Sequence, residues 1–409
     1  MLRLSAVLLG AFALLSQNAF AAGNIKLGKL AIKPTVGLEE RYDSNIYLVP
    51  PDLSGVRTGG GEVDAGITDL KLGVQTMFPI NDMHSLSAGY MFNWLGYNKQ
   101  QGTNNAVHQD ADFGYQYKGP MGLKGNLFNK YKNTEDPAFS ELTGRSQRWQ
   151  NNIGADMEYR PEGGKLFVGV DGGQTRHKYL DEVSLGPLLD RIEYGYGLKT
   201  GYYVMPKTRL FVSYDRKFTH YTNATGSSKN NNSHAYGGGI EGQIMPTVKV
   251  EIKTGGVTRH FDQTDQATSF RATNSINWFA ESMMNWKPTE RCNFGLKYRR
   301  AIEESTFSNN RFYIANKVNV TASHEFPNKL KANVGLGWGV DKYTDAATTG
   351  GLTSVRRDDT YTLNLGLGYT VNDWLTASAK YQYDERFSIF SGQFNYKRHM
   401  PSLGLTASF

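Results

Sequence analysis

Eight tight turns recur along the chain about every forty residues, each flanked by segments in which every second residue is apolar. They read FPINDM (78–83), KGPM (118–121), RPEGGK (160–165), MPKT (205–208), MPT (245–247), KPTER (287–291), FPNK (326–329) and VNDW (371–374). Seven of the eight hold a proline, and from Pro79 to Asn372 the spacings are 41, 41, 45, 40, 42, 39 and 45 residues. Proline presets φ for a turn and has no N–H for a ladder, so it separates strands rather than joining them. After Phe326-Pro327-Asn328, one face carries Ala332, Val334, Leu336, Trp338 and Val340, and the other Lys331, Asn333, Gly335, Gly337 and Gly339. At 361–371, Tyr361, Leu363, Leu365, Leu367 and Tyr369 likewise oppose Thr362, Asn364, Gly366 and Gly368. About ten residues of such alternation is the length of a tilted strand crossing a bilayer.

Between the alternating segments, opposite the turns, lie longer polar stretches, among them 133–147, 221–233, 262–272 and 341–358. Short turns on one rim and long loops on the other give the layout of an outer-membrane barrel. Two strands per turn make sixteen, and 31–42 and 396–409 add two. The expected fold is therefore all-β: a transmembrane, antiparallel, up-and-down barrel of about eighteen strands. Its short turns face the periplasm and its long loops the exterior. Mean hydropathy is only −0.49, and after residue 21 no run of 18 apolar residues offers a spanning helix. A closed barrel needs neither, since only alternate residues must be apolar. A period of 40–45 residues also describes propeller blades, but those need four strands per repeat and these repeats hold two.

Aromatic residues cluster at two levels. Phe78, Tyr117, Tyr159, Tyr203, Trp286, Phe326 and Trp374 border the turns, while Trp94, Trp149, Tyr194, Trp278, Tyr361 and Tyr383 lie near the loops. Amphipathic rings favour the headgroup level, so two girdles are expected.

The ends carry processing and assembly signals. Arg3, the apolar stretch Leu4 to Leu15 and Ala19-Phe20-Ala21 have the layout of a secretory signal peptide over 1–21. Residues 22–30 then form a short periplasmic segment, too small for a plug domain, and 31–409 the barrel. The last strand places Leu403, Leu405, Ala407 and Phe409 on one face. A terminal Phe on such a strand resembles the assembly signal of outer-membrane barrels, which implies the barrel-assembly machinery and outer-membrane lipid as partners. The location expected is the outer membrane of a Gram-negative bacterium.

The polar faces carry the candidate functional residues. Lys124, Lys199, Lys249, Lys253, Lys297, Arg299 and Lys331 fall on expected inward positions, mixed with Asp156, Glu158, Glu193, Glu251 and Glu281. An apolar interior could not hold so many charges, so the lumen is wet, with a modest basic bias. A single cysteine, Cys292, allows no internal disulfide and no Cys-based metal site. A formal charge of +7 without basic runs gives no sign of nucleic-acid binding. None of the eight histidines lies in an HExxH motif, and no GxSxG context occurs, so no enzyme, metal or cofactor is expected. RRDD at 356–359 lacks the ligand spacing of a calcium loop and reads as solvated loop charge.

The strand at 30–48, LAIKPTVGLEERYDSNIYL, ends in Tyr42-Asp43-Ser44-Asn45-Ile46-Tyr47. It resembles the start of the putative beta-barrel porin 2 family, whose members are associated with exopolysaccharide or capsule export. The resemblance singles out Tyr42, Asp43 and Asn45 and brings no catalytic role to them. It implies an outer-membrane conduit for a polysaccharide cargo, working with a separate periplasmic export protein. A general diffusion pore for small polar solutes, and a structural or adhesive surface barrel, are the alternative expectations.

Overall fold

A computed structural model describes residues 25–51, 61–136, 144–180, 189–222, 229–262, 274–305, 307 and 310–409. The expected signal segment 1–21, and parts of the expected loops 133–147, 221–233 and 262–272, lie outside the described residues.

The strands are β1 (Ile25–Leu27), β2 (Leu30–Asp43), β3 (Ala65–Pro79), β4 (His84–Tyr97), β5 (Ala106–Lys118) and β6 (Leu123–Thr134). Next come β7 (Arg148–Tyr159), β8 (Leu166–Tyr179), β9 (Arg191–Met205), β10 (Thr208–Tyr221), β11 (Asn231–Met245), β12 (Val248–Phe261) and β13 (Asn274–Thr289). The last six are β14 (Cys292–Glu304), β15 (Phe312–Glu325), β16 (Leu330–Thr349), β17 (Leu352–Asn372), β18 (Leu375–Ser388) and β19 (Tyr396–Ser408). From β2 to β19 each strand pairs antiparallel with the next, and β19 returns to β2. Of the nineteen strands in the sheet, β1 only folds back on the start of β2, so eighteen close the barrel. Closure leaves no unpaired edge in lipid.

All eight proline-period turns are hairpin turns in this fold. The prolines sit where their fixed φ serves and no ladder N–H is needed: Pro206 follows Met205, which pairs with Thr208, and Pro246 follows Met245, which pairs with Val248. At the other end a different device recurs. The N–H of a strand's last residue donates to the side-chain oxygen of the Asn or Asp just before the next strand. Tyr97 donates to Asn105 (2.8 Å), Tyr179 to Asp190 (2.7 Å), Tyr221 to Asn230 (2.7 Å) and Ser388 to Asn395 (2.6 Å).

The two faces differ as the bilayer requires. Outward positions hold exposed Val168, Leu198, Leu210, Leu336 and Leu367, which lipid covers. Of the expected girdle residues, Phe78, Tyr117, Tyr159, Trp286, Trp94, Trp149, Tyr194, Trp278, Tyr361 and Tyr383 take outward register positions. Phe326 packs edge-on against His324, and Trp374 stacks on Phe409 at 5.8 Å. Tyr203 departs from expectation. It pairs with Arg209 on the inward register and lies edge-on to buried Phe167.

The stretch 341–358 is also not a loop. β16 and β17 are 20 and 21 residues long and continue past the rim to a tip at Gly350 (φ +59°) and Gly351 (φ +81°). Beyond the membrane no lipid imposes apolar alternation, so pairing persists where the hydropathy signal ends. A bulge between Lys342 and Ala346 is filled by buried Asn310, whose Oδ1 accepts from the N–H groups of Thr344 and Asp345 at 3.0 and 2.8 Å.

Candidate functional site

The inward register defines the inner wall. It contains Lys124, Lys199, Lys249, Lys253, Lys297, Arg299 and Lys331, together with Asp156, Glu158, Glu193, Glu251 and Glu281. Four of the seven basic candidates are neutralised along the wall. Lys199 pairs with Glu241, Lys249 with Glu251 (2.8 Å), Lys253 with Asp215 (2.7 Å), and Arg299 with Glu303 and Glu281. Lys124, Lys297 and Lys331 make no ion pair among the described residues.

Several pairs reach over an intervening strand, and glycine makes this possible. Lys253 on β12 crosses β11, where Gly237 and Gly239 face inward, to reach Asp215 on β10. Arg209 on β10 reaches Glu158 on β7 at 2.5 Å, its guanidinium 3.9 Å from the ring centre of Phe167. Long charged chains thus lie flat against this side of the wall.

The opposite arc, β14 to β19 and on to β3, sets glycine columns between its long side chains. In β16, Gly335, Gly337 and Gly339 form a column between Thr321, Asn319 and Lys317 on β15 and Asn364, Thr362 and Thr360 on β17. The wall encloses a groove of about 780 Å³ lined by Asn293, Ser323, Asn333, Asn364, Gln382 and Ser402 beside Gly335, Gly366 and Gly368. At its edge Glu39 accepts from Lys71 (2.8 Å) and from Lys380 (3.0 Å), the latter reaching across β19 at Gly404. Sequence reasoning missed Glu39. Its signal was the run Leu38-Glu39-Glu40-Arg41, which puts Glu39 and Arg41 on one face of a spanning strand.

The resemblance residues build the mouth and the seam. Tyr42 faces outward, while Asp43 and Asn45 are buried. Asn45 Nδ2 donates to the carbonyls of Val49 (2.8 Å) and Lys397 (3.3 Å), and its Oδ1 accepts from Val49 N–H (3.2 Å). This folds Ile46, Tyr47 and Val49 inward onto Ala65, Ile67, Leu95, Tyr97 and Ala106 of the inner wall. The Tyr47 hydroxyl donates to Asn104 Oδ1 at 2.7 Å, and Arg145 lies 4.3 Å from the Tyr97 ring centre.

A second inward pack narrows the mouth beside β15 to β18. Phe307, Tyr343 and Phe394 surround Arg356, which is 0% exposed and held by Asp358 at 2.6 Å. RRDD at 356–359 is therefore strand, not solvated loop. Its two arginines pair two residues along, Arg356 inside and Arg357 with Asp359 outside.

A closed eighteen-strand barrel with an apolar outer band and an ion-paired inner wall defines a porin-like outer-membrane protein. The chain belongs to the family described as putative beta-barrel porin 2, whose sequence model matches residues 18–409. No curated protein matches it. Among solved structures it is similar to the FrpB iron transporter from Neisseria meningitidis (F5-1 variant), with 10% identity, 94% of this chain and 83% of that chain covered, and a TM-score of 0.48. It is also similar to a loop L8 deletion mutant of OmpT from Vibrio cholerae, with 8% identity, coverage of 93% and 100%, and a TM-score of 0.38. A third is a bacterial polysaccharide outer membrane secretin, with 13% identity, coverage of 91% and 98%, and a TM-score of 0.34.

Proposed function

We propose that the barrel is the outer-membrane conduit through which an exopolysaccharide or capsular polysaccharide leaves the cell, fed by a separate periplasmic export protein. The observation that carries this reading is the groove along β14 to β19. Amide and hydroxyl side chains flank glycine columns there, so a polyhydroxylated chain can lie close to the backbone and exchange hydrogen bonds stepwise. Such bonds replace hydration at little net gain each, which suits a cargo that must keep moving. Lys71 and Lys380 at the groove edge would favour a sugar bearing carboxylate or another acid group.

A general diffusion pore is the second reading, favoured by the neutralisation of most wall charges. Two measurements separate them. In a strain that makes surface polysaccharide, deletion of the gene should abolish the surface polymer. In planar bilayers, acidic oligosaccharides should block the conductance of the purified barrel from the turn side. Normal polymer on the deletion strain, with rapid uptake of mono- and disaccharides by barrel-containing liposomes, would overturn the export reading in favour of the diffusion pore.

A further inference from the structure

The lipid-facing side of β10 to β14 carries cations for which the strands provide no anions. Rows across these strands can be read from the register. Tyr214, Tyr236 and Trp278 form one aromatic row, through Gly256 on β12. Two residues nearer the loops comes Arg216, His234, Thr258 and Ile276, and two further on Phe218, Asn232, His260 and Asn274. At about 3.3 Å per residue along strands tilted by about 40°, Arg216 and His234 stand about 5 Å to the loop side of the girdle, within the headgroup region.

The cluster is organised. Arg216 Nη1 lies 2.8 Å from His234 Nε2, and the Tyr214 hydroxyl lies 2.8 Å from His234 Nδ1. Arginine can only donate, so Nε2 accepts and Nδ1–H donates to Tyr214. That leaves the imidazole neutral and the full positive charge on Arg216, whose Nε is buried and whose Nη atoms carry the remaining donors. The His260 ring is 6.3 Å from that of His234, and Arg300 on β14 sits 4.3 Å from the Trp278 ring centre.

None of the outward positions at 192–196, 214–220, 232–236, 256–260, 276–278 and 298–302 is Asp or Glu. The contrast is with the outer face of β17 to β19, where Arg357 pairs with Asp359 and Lys397 with Glu385. A cation at the lipid interface gains from a nearby anion, and no outward position of these strand segments supplies one.

We propose that Arg216, with His234, Tyr214 and His260 around it, binds the phosphate of an anionic lipid headgroup in the outer leaflet. The remaining Nη donors of the guanidinium, beside the Tyr214 hydroxyl proton, match two phosphate oxygens. The row opens sideways above an aromatic belt, so the phosphate arrives on a lipid whose chains lie along the apolar band below.

The test uses the full-length barrel purified in detergent, with native mass spectrometry to read retained lipid. Bis-phosphorylated lipid A should be retained about tenfold better than its dephosphorylated form. Arg216→Gln with His234→Ala should remove that preference, while Lys207→Gln at the opposite rim should keep it. Equal retention of the two lipids by the wild type, which needs no variant to fold, would overturn the proposal. So would an unchanged preference in the double variant, or displacement of the lipid by millimolar inorganic phosphate, which would mark a free-phosphate site.

Discussion

Asp43 and Arg398 lie 3.7 Å apart across the seam where the first and last barrel strands meet. The β2–β19 ladder holds seven residue pairs and stops at Arg41 and Ser402. The next residue is Pro401, which has no N–H to give. Ser44 restores the link: its N–H donates to the His399 carbonyl at 3.1 Å, and its Oγ accepts from His399 N–H at 2.9 Å. Asn45 then bonds Lys397. The segment from Asp43 to Asn45 is thus the stitching of the barrel's closing edge.

Asn45→Ala should therefore weaken the barrel as a whole. The substitution deletes three hydrogen bonds at a residue that is 0% exposed. A loss of about 2–3 kcal/mol follows at about 1 kcal/mol per bond. The temperature at which the folded band converts to the unfolded one on a detergent gel should fall, and an unchanged midpoint would refute the role given to Asn45.

Glu39 holds two ammonium groups, and its neutralisation and the loss of one of them change the wall charge by one unit each in opposite directions. Glu39→Gln should shift the reversal potential in a salt gradient toward anions, changing the permeability ratio roughly twofold. Lys380→Gln should shift it toward cations. High salt should shrink both effects, since the Debye length falls to about 3 Å at 1 M.

A bulky side chain in the groove should obstruct it without straining the wall. At Gly366 a Cβ would meet only Asn333 side-chain atoms, at 3.8 Å, which is ordinary contact. Gly366→Trp is expected to lower single-channel conductance by roughly a third and to weaken oligosaccharide block. Full conductance and full block would show that solutes pass elsewhere.

Arg356→Ala should cost about 3–5 kcal/mol, because Asp358 would remain buried without its partner. Replacing both partners, as Arg356→Met with Asp358→Leu, should restore most of the loss. Thermal unfolding measures each, and equal losses in single and double variants would mean that packing rather than the ion pair holds the mouth.

The spanning part of this fold was legible because lipid enforces it. Alternation, aromatic levels and proline turns located the eight short turns of one rim and the eighteen strands that close the barrel. Inward parity could be read at Lys199 or Lys331 because each stands between lipid-facing neighbours. Side-chain reach could not. That Lys380 meets Glu39 across Gly404, or that Arg209 meets Glu158 across two strands, depends on barrel closure and on which intervening residue is glycine. The failures at 341–358 and Tyr203 share one cause. Both lie at or beyond a rim, where hydropathy no longer says which way a side chain points.

The overlong hairpin has a mechanical implication. Its tip at Gly350 and Gly351 joins strands that run unbroken down the passage wall, one bearing the glycine column and the other its amide flank. A ligand that grips this tip from outside the cell, such as an antibody or a bacteriophage fibre, would hold a lever whose far arm borders the permeation path. Tension applied there would reach the inner wall through the bulge between Lys342 and Ala346, which buried Asn310 braces.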